Sequence, residues 1–346
     1  MKRYLLTFFL VLASFSWLAA QRTLVYCGTL IDGVSDEAQA KMTLIIEKER
    51  IVAVEKGYTK VKREDEVIDL KNRTVMPGLM DMHVHLEFES SPSTYLDQYR
   101  LNEADVAFRA AVYAERTLMA GFTSVRDLGG TGVNTALRNA IELGLTDGPR
   151  IFSAGKAIAT TGGHADPTNG SKRALMGDPG PAQGVINGPS DAAKAVRQRY
   201  KNGADNIKIT ATGGVLSVAK DGSGPQFTDE ELAAIIETAN DYGMITAAHA
   251  HGAEGMKRAV AAGITSIEHG TMMTEEVDEL QNVRRTDVKD WLMATNLMDL
   301  GELDQLPTQI FEIDGRKKDA LFMSIVENKL KATVEHVKKK YSINEM

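Results

Sequence analysis

One rhythm constrains this chain more than any other feature. From residue 74 to about 280, an apolar strand, a loop, an amphipathic helix, a glycine and the next strand follow one another repeatedly. The clearest cycle runs from Thr228 to Ala250. Thr228 stands three residues before Glu231, the spacing of a capping box. Leu232, Ile235, Ile236 and Ala239 then recur at i, i+3, i+4 and i+7, giving one buried helix face. Gly243 stops the helix, and a run of small and apolar residues follows as a buried strand. The same helix–glycine–strand join recurs at Gly121, Gly203 and Gly263. Strands are expected near 75–82, 123–128, 150–157, 206–210, 245–250 and 264–268. Six βα units favour an α/β fold with a parallel sheet, closed as a barrel or open and doubly wound.

The flanks read differently. Residues 23–26, 42–46 and 50–54 are β-branched and apolar with turn residues between them, so 21–73 is expected to be a small β unit. Lys2 and Arg3, a short apolar run, and Ala19 and Ala20 before Gln21 read as a signal peptide over 1–20. Export to a periplasm or the medium follows, with no stable membrane anchor after cleavage. The single cysteine, Cys27, allows no internal disulfide. Residues 281–346 contain only Gly301 and Gly315 and read as polar helices, outside the barrel region of 74–280. The formal charge of -7, with no basic stripe before residue 280, argues against nucleic acid as the main partner.

Chemistry concentrates at the strand ends. His83 and His85 are two apart on a strand and share a face, a pair suited to Zn²⁺ or a similar divalent ion. Lys208 lies between Ile207 and Ile209; if those face the helices, the lysine turns inward. There it needs a carboxylate partner or a modification such as a carbamate, because a buried lone ammonium is costly. His249 and His251 share a face in the same way. His249 is deeper and is the better ligand; His251 lies at the rim, as a substrate contact or a structural group. His269 shares a face with Ile267, which is compatible with both pointing inward, as branched residues do in barrel layers. These positions all fall toward the C-terminal ends of strands, where barrel enzymes build their sites. His164, in the loop 159–166, contacts substrate or bonds its own loop.

The motifs VMPGLMDMHVHLE, AGFTSVRDLGG, IKITATGGV, AAHAHG and SIEHGT together resemble the metal-dependent amidohydrolase superfamily, in its imidazolonepropionase-like and Xaa-Pro dipeptidase (prolidase)-like branch. The resemblance covers residues 22 to about 280. It implies a TIM (β/α)8-type barrel with a small N-terminal β-sandwich part. It implies two divalent metal ions, zinc by expectation: His83 and His85 bind one, His249 and His269 the other, and a carboxylated Lys208 bridges them. It implies amide hydrolysis by a metal-bridged hydroxide, with His164 polarising the carbonyl or touching substrate. Dipeptides, N-acyl amino acids or a small cyclic amide are the implied substrates, and a homo-oligomer is compatible with it. A hydrolytic deaminase of similar fold is disfavoured by Lys208.

The sequence departs from the family at one end. The family's Gly-Thr-Asp after the eighth strand is not found, nor are a seventh and eighth strand, so the barrel reads as incomplete at its C-terminal end. Loss of a general acid–base group costs on the order of 10²–10⁴-fold in rate. The rival expectation is therefore an inactive relative that binds metal or ligand without turnover.

Overall fold

The computed structural model describes residues 22–282, apart from 215–216 and 218–220. Residues 1–20, read from the sequence as a signal peptide, and the tail 281–346 beyond its first two residues, lie outside the described residues. Among the described residues no helix is long and apolar enough to cross a membrane. The chain divides after Pro77 into two compact units.

The first unit contains β1 (Arg22–Leu30), β2 (Gln39–Glu47), β3 (Arg50–Lys56) and β4 (Glu66–Val75), in the order β3-β2-β1-β4. β1 is antiparallel to β2 and parallel to β4. Successive residues of β1 alternate faces. Leu24 and Tyr26 pack with Ile45, while Val25, Cys27 and Leu30 pack with Met42. Cys27 thus behaves as a small buried hydrophobe. The register slips between Cys27 and Thr29. A Cβ on Gly28 would lie 2.2 Å from the Lys71 carbonyl oxygen, so only glycine lets the strands close up there. In place of the expected sandwich, the described residues of this unit form one sheet. Its β4 claims Val75, which the sequence reading gave to the first barrel strand.

In the second unit the expected strands appear as β5 (Leu79–Val84), β6 (Phe122–Asp127) and β7 (Arg150–Ser153), then β10 (Asn206–Thr210), β11 (Ile245–Ala250) and β12 (Ser266–His269). β5-β6-β7 and β10-β11-β12 are parallel throughout. Ile158, just past β7, donates its N–H to the Lys208 carbonyl and accepts from the Thr210 N–H, at 2.8 and 3.1 Å. It carries the hydrogen-bonded surface from one trio to the other. A minor parallel pair, β8 (Ala159–Thr160) and β9 (Val185–Ile186), lies in the long loop between them. The helices are α1 (Thr94–Arg100), α2 (Glu103–Met119), α3 (Val133–Glu142), α4 (Arg173–Met176), α5 (Pro189–Lys201), α6 (Asp229–Asp241), α7 (Ala253–Ala262) and α8 (Glu275–Asn282). Among the described residues no backbone pairing joins β5 to β12.

Local chemistry explains the elements. Thr228 Oγ1 accepts from the Glu231 N–H, and the Glu231 carboxylate accepts from the Thr228 N–H, so the capping box of α6 is closed. Its predicted face, Leu232, Ile235, Ile236 and Ala239, is buried. The glycines ending α6 and α7, Gly243 and Gly263, take φ of +64° and +106°, the left-handed cap that turns a helix into the next strand. α5, α6 and α7 press one face each onto Ile207, Ile209, Ala248, Ala250 and Ile267 of the sheet. Each such large side chain contributes about 1.5–3 kcal/mol by leaving water.

Candidate metal centre

Six of the chain's seven histidines converge at the C-terminal ends of the strands. Ring centroids of His83 and His85 are 5.3 Å apart, and His83 lies 4.9 Å from His269. His249 lies 4.5 Å from His269, 4.8 Å from His251 and 4.2 Å from His164, on which it stacks. One nitrogen each of His249, His251 and His269 come within 4.8 Å of one another. His251, read from the sequence as a substrate or structural group, is therefore within ligand reach as well. A Cβ on Gly214 would sit 2.7 Å from both His164 Cε1 and His249 Nε2. Glycine at this position lets the backbone lie against both rings.

The hydrogen bonds say which ring nitrogens are open. His85 Nδ1 is 2.8 Å from the Gly129 carbonyl oxygen, and His249 Nε2 is 2.9 Å from that of Gly213. A carbonyl only accepts, so each of these nitrogens carries the proton. The lone pair is then left on His85 Nε2 and His249 Nδ1. His83 Nδ1 lies 3.0 Å from Glu268 Oε2, which leaves its Nε2. A ring tied through one nitrogen and open at the other is how metal-binding histidines are normally oriented.

Electrostatics agree. Burial, and next the charge of Lys208, lower His83 to about 3 and His85, His164 and His269 to about 4. His249 is lowered further by the same causes. Lys208 is thus close enough to act on five imidazoles, and burial brings it down to about 8. As expected from Ile207 and Ile209, which face the helices, Lys208 is buried on the opposite side. Neutral imidazoles with an inward lysine on parallel strand ends make a donor set that fits divalent cations.

One expected orientation is wrong. Ile267 packs in the sheet–helix core, while its neighbours Ser266 and Glu268 face inward. His269 reaches the centre differently: its φ is +72°, so the backbone turns left-handed as β12 ends and swings the ring around. Strand alternation fails at this residue because the strand has stopped.

The structure also adds residues that the sequence reading gave no role. Glu268 is fully buried and bonded to Arg126 Nη2 at 2.6 Å. Burial opposes its charge, but the guanidinium and His83 hold its carboxyl well below the usual range. Asp127 accepts from the Leu86 N–H, the Gly129 N–H and Asn134 Nδ2. Burial raises its carboxyl to about 7 against those three donors. Glu87 accepts from the Thr131 and Asn134 N–H groups at 2.6 and 2.7 Å, pinning the loop after His85 to the N-terminus of α3. Arg126, Asp127, Glu87 and Glu268 all stood inside the quoted motifs. Charged residues in apolar strands were the signal available.

Parallel strands, convergent histidines and an inward lysine make a site whose donor set fits divalent cations. The sequence profile described as "Amidohydrolase family" matches residues 74–285, and the chain belongs to that family. It has the family's fold together with an N-terminal sheet domain. A solved structure of a Xaa-Pro dipeptidase with methionine bound in its active site is 52% identical, with a TM-score of 0.72 over 75% of this chain and 64% of that one. A prolidase solved with N-methylphosphonate-L-proline is 29% identical, with a TM-score of 0.69 over 83% of this chain and 72% of that one. Ochratoxinase from Aspergillus niger is 31% identical over 280 residues, which are 75% of this chain and 57% of the enzyme. The chain therefore spans somewhat over half the length of that curated relative.

Proposed function

We propose that this chain is a metal-dependent amidohydrolase that cleaves a C–N bond, amide or peptide, of a dipeptide, an N-acyl amino acid or a small cyclic amide. One observation carries this reading: His83, His85, Lys208, His249 and His269 converge from separate strand ends, and the hydrogen bonds leave a lone pair open on three of the rings. His83 and His85 would hold one cation, and His249 and His269 a second. Two divalent ions, zinc by the ligand set, would lower the pKa of a water and polarise the scissile carbonyl. With its pKa near 8, Lys208 keeps a neutral fraction at physiological pH. That amine could add to carbon dioxide, forming an N–C bond and releasing a proton, and the carbamate would then offer the centre two oxygen donors. His164 Nδ1 is buried and has no hydrogen-bond partner among the described residues. A buried polar atom without a partner is costly unless a ligand supplies one, so His164 is assigned to the substrate carbonyl. His251, at the rim, orients substrate or adds a ligand. Relatives that bind methionine or a proline phosphonate support a small, peptide-like substrate. We also place the protein outside the cytoplasm, which N-terminal sequencing of the secreted form would check.

The test is metal content per chain together with hydrolysis of Xaa-Pro dipeptides and N-acyl amino acids. Two ions per chain and turnover that chelation abolishes and added metal restores are expected. A folded, two-metal chain that cleaves none of them would instead establish the second reading, a binding relative without turnover. That reading is favoured by one observation: every oxygen of the buried carboxylates Asp127 and Glu268 already accepts from protein donors, so neither is free as a general base.

A further inference from the structure

Glu268 has no part in the chemistry above, yet it is fully buried at the end of β12. Its Oε1 accepts from Arg126 Nη2 at 2.6 Å and from Ser266 Oγ at 2.8 Å, and its Oε2 faces His83 Nδ1 at 3.0 Å. Arg126, on β6, also donates through Nε to the Met82 carbonyl at 2.8 Å and through Nη1 to Ser266 Oγ at 3.2 Å. Side chains therefore tie β12 to β5 and β6, with which it has no backbone pairing among the described residues.

A purely structural ion pair would need only Arg126 and Glu268. The second carboxylate oxygen is instead aimed at one nitrogen of His83. A carboxylate held by a guanidinium only accepts, so the proton must sit on His83 Nδ1 and the lone pair on Nε2. The opposite tautomer would leave two acceptors facing each other in a buried site. Arg126 fixes both ends of this arrangement, because it grips the carboxylate and also the carbonyl of the residue just before His83.

Resting on the proposed function, we propose that Glu268 is a positioning residue for the metal centre: it sets the tautomer and ring orientation of His83, and Arg126 holds it in place. Outer partners of this kind are worth roughly 10–100-fold in metal affinity.

The experiment is chelator competition on the full chain, wild type against Glu268→Gln, His83→Ala and the double variant. Glu268→Gln should lose about 10–100-fold in affinity for one of the two ions. In the His83→Ala background the same change should cost nothing further. Because Glu268→Gln strands a buried guanidinium, Arg126→Gln/Glu268→Gln is measured beside it, and it should fold and show the same affinity loss. In metal-free wild type, ¹⁵N shifts should place the His83 proton on Nδ1, and Glu268→Ala should mix the tautomers. Unchanged affinity in Glu268→Gln, or losses that add to those of His83→Ala, would overturn the positioning role alone. A wild type that takes up no metal would overturn the proposed function and this role together.

Discussion

Within the second unit, the β10–β12 half and the β5–β7 half hold their histidines in different ways. β10 is buried at every residue, and α5, α6 and α7 seal it and its neighbours under one apolar cluster. β5 leaves Met80 44% exposed, and α2 turns Phe108 and Met119 outward at 79% and 78%. The apolar cluster on this side is smaller. What compensates is polar: Asp127 accepts from the Leu86 N–H beside His85, Glu87 accepts from the Thr131 and Asn134 N–H groups, and Arg126 with Glu268 brackets His83. His249 is placed mainly by packing, whereas His83 and His85 are placed mainly by hydrogen bonds. Packing is intolerant of lost volume, whereas a buried hydrogen-bond network is intolerant of a lost partner.

That contrast can be broken or sharpened by experiment. The largest effect should come from pH, because it acts on both halves at once. His83, His85, His164 and His269 titrate near 3–4 in the folded chain, against an ordinary value of 6.5. Between those values the unfolded chain binds more protons than the folded one, so stability rises with pH in this window. The metal-free chain should be fully stabilised above pH 6.5 and lose stability steeply as pH falls toward 4. Denaturant midpoints at pH 7, 5.5 and 4.5 check this; equal midpoints would mean that the rings are not held neutral.

Next comes Asp127→Ala, which leaves the Leu86, Gly129 and Asn134 donors without their acceptor. At about 1–3 kcal/mol per orphaned donor, partly relieved by relaxation, the expected loss is about 3–5 kcal/mol. Metal retained per folded chain should fall too, since Leu86 adjoins His85. Ile235→Ala in α6 should cost about 3 kcal/mol as a cavity, with metal affinity of the folded fraction unchanged. If Ile235→Ala lost metal while Asp127→Ala kept it, the division between the halves would be reversed. The smallest effect is Thr228→Ala, which removes the cap of α6 for about 1 kcal/mol. It should register in the denaturant midpoint and leave metal binding unaltered.

Much of this was open to reading in the residues themselves. Strand positions, the closed capping box at Thr228 and Glu231, and the inward turn of Lys208 between Ile207 and Ile209 follow from local periodicities of 2 and 3.6. So does the shared face of His83 and His85. The same periodicity put Ile267 on the inward face with His269, because alternation holds only while the backbone stays extended, and His269 is where it leaves that state.

The sequence by itself determined the main strands of the second unit, where α6 begins and stops, and which side chains share a face within one element. All of these depend on contacts a few residues apart. Only the tertiary structure decided that Glu268 meets His83, 185 positions away, and Arg126, 142 away. Only it decided which nitrogen of each imidazole stays open, and that His251 stands within reach of His249 and His269. Period gives direction within a strand, but facing across the interior depends on how many strands intervene and how far each is staggered, which no local pattern encodes.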